Sequence, residues 1–416
     1  MSFRGFIKKL ENNNMIKKIE DEIDLNLGLT GFLKNKTQSY VFENIRDFPN
    51  FKIAANLVTD RKHLGLSFDC SEQEVVKKVA DAIRNPGKLN EVDDAPFFEV
   101  EAKLSDLPIP RYLPTDGGPY LSSAIVFSKD KELGDNVSFH RMMVKDGRII
   151  IRLVKRHTWE FYERSNRNLD IAICIGLDPA ILEAAAVCTD ISVFELPIAS
   201  AIIGKPIDVV KCRTCDLKVP AESEIVIEAT ITEEWDDEGP FLDITLTPDI
   251  VRSQPVVKVK KIFHRKNPIF HALLPGGYEH GTVWKTPTES VMFNEVNKVC
   301  ACKDVFLSFG GCSRLHGMVQ IKKKNKEDGL SAIEAAFKAH PSMKHVFIVD
   351  EDIDIYDINA VEWALATRFQ AKTDLVIKHD LKGSTLDPSS SKTGKTSKLG
   401  FDCTIKGDPK EFRKVF

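Results

Sequence analysis

The sequence predicts a mixed α+β fold in three segments. An N-terminal α/β domain covers residues 1–110, a strand-rich β-barrel or sandwich covers 111–284, and a C-terminal α/β domain covers 285–416. Three observations carry this. The chain has 416 residues, more than one ordinary hydrophobic core organises. Its middle third is dominated by alternating or continuous apolar runs rich in β-branched residues. Its last third alternates such runs with segments of helical period, the pattern of an α/β layer.

Taken in order, EQEVVKKVADAIRNPGK (73–88) places apolar residues at helical spacing and ends at Pro86-Gly87. LSDLPIPRYLPTDGGPYLSS (104–123) is rich in Pro and Gly and reads as the entry to the second domain. SAIVFSKD, NVSFHRMMVKDGRIIIRLV, SEIVIEATITEE and VVKVKKIFHR then read as strands, with Asp146-Gly147 as the hairpin turn between MMVK and RIIIRLV. One helix is inserted at DPAILEAAAVC. Further on, KTPTESVMFNEVNKVCAC reads as a helix, GMVQIKKK as a strand, LSAIEAAFKAH as a helix, HVFIVDEDIDI as a strand ending in acids and INAVEWALATRF as a helix. The Ser/Lys-rich stretch before the C-terminus reads as a flexible basic loop.

Composition narrows the function classes. With 43% hydrophobic and 29% charged residues and a net charge of −3, the chain has neither the basic surplus of a nucleic-acid binder nor a charge that draws it to membranes. The apolar stretch 171–188 is broken by Asp178, Pro179 and Glu183, so it reads as strand, turn and helix rather than a membrane span. The start MSFRGFIKKLENNN lacks the apolar core of a secretory signal. Nine scattered cysteines, an odd number, point to free thiols in a reducing, cytoplasmic setting. Cys212-Arg-Thr-Cys215 has zinc-like spacing and Cys300-Ala-Cys302 could supply a second pair, giving a zinc-stabilised interaction protein as one reading. The first pair sits in a strand–turn–strand pattern, however, and buried thiols explain it more simply.

Gly394-Lys395-Thr396 imitates the end of a phosphate-binding loop, but Ser389 stands where the first glycine of that motif belongs and no apolar strand leads in. Asn136, Arg141, His157 and Glu195 are ordinary singly and informative as a set. Amide, imidazole and carboxylate donors suit Mn²⁺ or Mg²⁺ with a phosphate completing the shell, and a guanidinium fork matches a carboxylate. The acid-rich stretch DDEGPFLD (236–243) flanks an apolar turn with Glu238 and Asp243. Pro240 stiffens that turn and Phe241 and Leu242 dry it. An acid in such a place is pushed toward the neutral, proton-donating form, whereas one beside Arg141 is pulled toward the ionised form.

NVSFHR (136–141), IGLDPA (175–180), ELPIASAIIGKPIDVVKC (195–212), DLKVPAESEIVIEATI (216–231), EGPFLD (238–243), FIVDEDIDI (347–355) and SKLGFDCT (397–404) occur in the order found in UbiD-type, prenylated-flavin-dependent decarboxylases, and the chain resembles that family from about residue 105 to 405. The resemblance implies a central split β-barrel of flavin-reductase type that holds prenylated FMN. It implies that Asn136, His157 and Glu195 hold Mn²⁺ (or Mg²⁺) against the flavin phosphate, with K⁺ as a companion ion. Phe139, His140, Arg141 and the strand Leu153, Val154 and Lys155 would line the cofactor, and Lys398 would reach its phosphate. Arg141, Glu238 and Asp243 would be the catalytic set, with Glu238 charged against Arg141 and Asp243 donating the proton after CO₂ leaves. Ser138 and Leu242 stand where the family often has Gly.

The chain is most like compact archaeal members of the family, including in HALLPGGYEHGTVW (271–284). That branch implies a small enoic acid substrate, trans-anhydromevalonate 5-phosphate, giving isopentenyl phosphate in isoprenoid synthesis. Lys155, Arg156, His280 or Lys285 would meet the phosphate. A 4-hydroxybenzoate-type aromatic acid is the alternative substrate, and a non-catalytic flavin-binding protein the alternative class. A flavin prenyltransferase as cofactor supplier and a homo-oligomer are further implications.

Overall fold

The structure is a computed structural model and describes residues 2–390 and 394–412. The chain forms two compact units. One runs to Val75 and resumes from Ala82 to Val283; the other combines Val76–Asp81 with the chain from Trp284 onward.

In the first unit the N-terminal and central segments are joined by a shared sheet. Strands Ile16–Ile19, Ser39–Phe42, Lys52–Ala55 and Ile269–Ala272 lie in that order, so the last strand of the central segment completes the N-terminal sheet. Ile269–Ala272 pairs parallel to Lys52–Ala55 with Phe270 and Ala272 buried, and this apolar burial merges the two cores. No described helix is long and apolar enough to cross a membrane. The stretch 171–188 forms the strand Leu169–Ile175 and the helix Pro179–Ala185, whose start is capped by Asp178 accepting from the Ala180 N–H at 3.0 Å.

The large antiparallel sheet of this unit has nine strands. Its order is Tyr120–Leu121, Met142–Lys145, Arg148–Ile151, Arg252–His264, Ile225–Glu238, Leu169–Ile175, Ile125–Asp130 and Gly134–Phe139, with Val100–Ala102 also on Arg252–His264. The Asp146-Gly147 turn is as expected: both residues have positive φ, 50° and 72°, and the flanking strands pair from Lys145↔Arg148 to Met142↔Ile151. The expected barrel is not closed. Phe139 ends the edge strand, and only His140 and Arg141 separate it from Met142 near the opposite edge. Three peptide steps span at most about 11 Å, so the sheet curls until its ends are neighbours. Among the described residues no ladder joins them, because the chain turns out of strand conformation at His140 and Arg141. Those two residues therefore sit at an open seam.

The second unit carries a five-stranded sheet in the order Ala301–Leu307, His316–Lys322, His345–Asp350, Lys395–Asp402 and Leu375–Lys382, with helices Asp328–Ala339 and Ile358–Arg368 packed on it. Strands and helices alternate as the sequence pattern requires. Two details differ. The helix expected from residue 285 begins earlier and runs Tyr278–Asn297 with Pro287 inside it. The expected flexible basic loop is largely a hairpin: Lys395 and Thr396 pair with Lys382 and Leu381, so the Gly-Lys-Thr imitation belongs to a strand, while residues 391–393 lie outside the described residues.

Candidate active site

Arg141 organises the seam. Its Nε and Nη2 donate to the two carboxylate oxygens of Glu238, both at 2.9 Å, and its Nη1 donates to Asp243 Oδ2 at 2.6 Å. Nη2 also reaches Asp249 Oδ2 at 2.8 Å. Burial alone would lower the guanidinium's pKa, but three carboxylates outweigh it and hold it above its ordinary value. Burial likewise works to raise Asp249, and the Arg252 and Arg141 guanidiniums overcome it and hold that acid below the usual range. The Glu238 side chain is fully buried, which a charged carboxylate tolerates only when paired and hydrogen-bonded. Its third bond comes from the Tyr120 hydroxyl at 3.0 Å.

The acid turn corrects the expectation in two respects: Arg141 bonds Asp243 as well as Glu238, and Leu242 is only half-buried and stands outside the dry cluster. Glu238 ends the fourteen-residue strand Ile225–Glu238, Gly239 follows with φ 102°, and the Gly239-Pro240 peptide is cis. The Asp116-Gly117-Gly118 loop packs on this turn, Gly117 N donating to Pro240 O at 2.8 Å. A Cβ on Gly117 would lie 2.2 Å from Gly239 O, so a side chain there is excluded. Phe241, Tyr120, Met143 and Ile150 form a small dry cluster, and Arg141 lies over the Phe241 ring at 4.6 Å from its centroid.

The proposed metal donors also come together. His157 Nδ1 is 3.2 Å from Asn136 Oδ1 and 3.8 Å from Glu195 Oε1. Neighbouring donors on one Mg²⁺ or Mn²⁺ ion stand roughly 3 Å apart, so this hard-to-borderline set fits such an ion with small movements. The strand expected through Leu153, Val154 and Lys155 stops at Ile151, His157 opens the helix His157–Arg164, and Glu195 stands at the start of the helix Leu196–Ile203. Glu195 is oriented by the Val137 N–H at 2.8 Å and the Thr189 hydroxyl at 3.0 Å. The Asn136 amide is oriented too: its Nδ2 donates to Ser138 Oγ at 3.1 Å and Thr158 Oγ1 at 3.2 Å, which leaves Oδ1 to face His157. Ser138 and Thr158 both contact His140 Nε2, at 3.1 Å each, and burial holds that imidazole down at about 4. A continuous polar chain thus runs from the metal donors to the residue preceding Arg141.

The other candidates are dispersed. Phe139 ends its strand half-buried beside His140. Leu153 is buried in the main core, with its N–H bonded to Gln254 Oε1 at 2.8 Å. Val154, Lys155 and Arg156 are exposed, the Lys155 ammonium 5.7 Å from the Trp159 ring centroid. His280 Nδ1 accepts from Gly276 N at 3.0 Å. Lys285 and Lys398 belong to the second unit and are both buried: Lys285 lies over the Phe306 and Phe309 rings, and Lys398 donates to Pro341 O at 2.5 Å.

Four residues of the site escaped the sequence reading: Tyr120, Thr158, Asp249 and Arg152. Asp249 had a faint signal, a further acid following the turn. Arg152 extends the hairpin register opposite Arg141, its N–H donating to Arg141 O at 3.1 Å. Among the described residues its guanidinium bonds only Leu153 O, at 3.0 Å, and it is held below its ordinary pKa by burial, then by Arg252 and Arg141.

The chain is similar to known proteins along nearly its whole length. Family models for the 3-octaprenyl-4-hydroxybenzoate carboxy-lyase match almost the whole chain: the N-terminal domain at residues 7–83, the Rift-related domain at 89–278 and the C-terminal domain at 281–403. A relative from Methanocaldococcus jannaschii, named anhydromevalonate phosphate decarboxylase, is 42% identical over 404 residues, covering 94% of this chain and 95% of the relative. The solved structure of the UbiD-class enzyme HmfF from Pelotomaculum thermopropionicum in complex with FMN superposes with a TM-score of 0.95 at 34% identity, covering 100% of this chain and 97% of that one. An evolved dimeric form of HmfF in complex with prFMN gives 0.92 at 32% identity, covering 100% and 96%. By family match, by sequence and by fold, the chain belongs to the UbiD family of carboxy-lyases.

Proposed function

We propose that this protein is a prenylated-FMN-dependent, non-oxidative decarboxylase that converts trans-anhydromevalonate 5-phosphate to isopentenyl phosphate. The observation that carries the reading is Arg141 bonded at once to Glu238 and Asp243, at 2.6–2.9 Å, at one end of a polar chain that begins at a divalent-metal donor set. The substrate assignment is supported by the name of the M. jannaschii relative and by the Arg152 guanidinium, which bonds no acid among the described residues and is suited to a phosphate.

Asn136 Oδ1, His157 Nδ1 and Glu195 Oε1 would hold Mn²⁺ or Mg²⁺, which in turn would anchor the phosphate of the flavin. Prenylated FMN supplies, when bound, the electron sink that makes loss of CO₂ feasible. The chain's own residues do the rest. Arg141 retains a guanidinium N–H beyond its four carboxylate bonds and clamps the substrate carboxylate. Glu238 fixes Arg141 from two sides and keeps it charged. Phe241, Tyr120, Met143 and Ile150 keep water from the reacting carbon. As the C–C bond to the carboxylate breaks and CO₂ leaves, Asp243, having first taken a proton from solvent, delivers it to the carbon and is left as the carboxylate that pairs with Arg141. One proton is taken up per CO₂ released.

The test is production of the protein alongside a flavin prenyltransferase, followed by assay of the flavin-loaded enzyme for CO₂ release. Anhydromevalonate phosphate and 4-hydroxybenzoate are offered in parallel. Release from the first alone is expected. Release from the aromatic acid alone, or from neither acid, overturns the substrate assignment.

A further inference from the structure

The Cys212-Arg-Thr-Cys215 motif plays no part in the proposed decarboxylation, yet the fold gives it an unusual setting. It forms the tip between strands Ile207–Lys211 and Lys218–Pro220, closed by Cys212 N donating to Leu217 O at 2.9 Å. This tip is held by one side chain from the large sheet. Glu228 accepts the Arg213 N–H at 2.8 Å on one carboxylate oxygen and the Thr214 N–H at 2.5 Å on the other. Glu228 is fully buried and has no ion-pair partner among the described residues. Lys261, its cross-strand neighbour, directs its ammonium to Glu101, and the Arg213 guanidinium turns away to stack over Phe98 at 4.1 Å. A buried carboxylate supported by two amide N–H groups alone is costly, and a cation is what its surroundings lack.

Beside this carboxylate stand the two sulfurs. Cys212 Sγ, Cys215 Sγ and a Glu228 oxygen all lie within 4.8 Å of one another. Cys212 is buried and Cys215 half-buried. The fully buried Cys174 lies on the same sheet face, since its cross-strand partner Val226 is two residues from Glu228. We propose that Cys212, Cys215 and Glu228 form a structural site for one Zn²⁺-class cation, independent of the flavin site, that pins the hairpin tip to the sheet. The donor set decides the cation: two thiolates select a soft or borderline metal over Mg²⁺ or Ca²⁺, and a carboxylate oxygen is compatible with tetrahedral Zn²⁺. The fourth position falls to water or to the Cys174 thiolate. Binding is balanced by proton release: each coordinating thiol gives up one proton as its sulfur bonds the metal, with no change of oxidation state.

The test uses the full chain, stripped of metal and titrated with Co²⁺ alone as a spectroscopic stand-in. The expected result is a near-ultraviolet thiolate-to-cobalt charge-transfer band that saturates at one equivalent per chain, with proton release in step. Oxygen and nitrogen donors such as Asn136, His157 and Glu195 give no such band, so the two sites are distinguished. The band is lost in Cys215→Ser and retained in a Cys300→Ser/Cys302→Ser double variant. Three results overturn the proposal: no band in the wild-type protein, a band that survives Cys215→Ser, or a denatured thiol count two short of nine, which would mean a Cys212–Cys215 disulfide instead.

Discussion

Arg152 faces Arg141 directly across the hairpin, the two held by the Arg152 N–H to Arg141 O bond at 3.1 Å, and among the described residues only the Arg141 guanidinium is bonded to acids. Like charges opposite one another on a sheet destabilise it, and removal of one relieves the repulsion. Arg152→Met should therefore raise the melting temperature of the substrate-free protein. In the loaded enzyme the same change should raise KM for a phosphorylated enoic acid by about 10- to 100-fold, the loss of a charged hydrogen-bond partner worth roughly 1.5–3 kcal/mol. Thermal unfolding and steady-state kinetics on one preparation check both. A variant that is less stable and unchanged in KM contradicts this role.

Asp243 and Glu238 both bond Arg141, but they should fail differently. Asp243→Asn keeps a hydrogen-bonding side chain and loses the proton, so kcat should fall by roughly 10²–10⁴-fold with flavin content unchanged. Glu238→Gln breaks a buried ion pair with a cost of about 3–5 kcal/mol, so it should lower the melting temperature as well as the rate. Flavin absorbance, kcat and unfolding temperature separate the two.

Thr158→Val removes one of the two hydroxyls that fix the Asn136 amide, without touching a metal donor. Loss of such an orienting contact typically weakens metal affinity by about 10–100-fold. Mn²⁺ titration followed by electron paramagnetic resonance measures this without turnover. Thr158→Ser should restore it.

In the second unit His345 Nδ1 and His316 Nε2 lie 2.7 Å apart on adjacent parallel strands. Such a bond needs one N–H donor and one bare nitrogen. Burial, with His345 and Lys344 nearby, holds His316 at about 4, and burial with Lys344 lowers His345 as well. For a histidine whose folded pKa is depressed, the unfolded chain binds the extra proton first. The pair's contribution is therefore complete above about pH 6.5 and is lost as pH falls toward 4. His316→Gln should flatten the decline in melting temperature between pH 7 and pH 5 relative to wild type. An unchanged slope would remove the pair from the pH response.

What the sequence by itself determined is what short spacing dictates. Asp146-Gly147 must form its turn because it supplies two positive φ values between two apolar runs, and LSAIEAAFKAH must be a helix because its apolar residues share one face. The set Asn136, Arg141, His157, Glu195, Glu238 and Asp243 is named by donor chemistry and family resemblance, and folding brings it together in two groups, one around His157 and one around Arg141. Tertiary structure alone decided how the sheet ends and what completes the site. A strand pattern reads the same in a closed barrel and in a curled sheet with a seam, because closure depends on pairings between edges and not on alternation within a strand. Asp249 joins Arg141 from 108 residues away, Tyr120 joins Glu238 from 118, and Glu228 meets the Cys212 hairpin through bonds to backbone N–H groups that any sequence possesses. Contacts of that kind leave no local spacing to read; they exist only once the strands have found their neighbours.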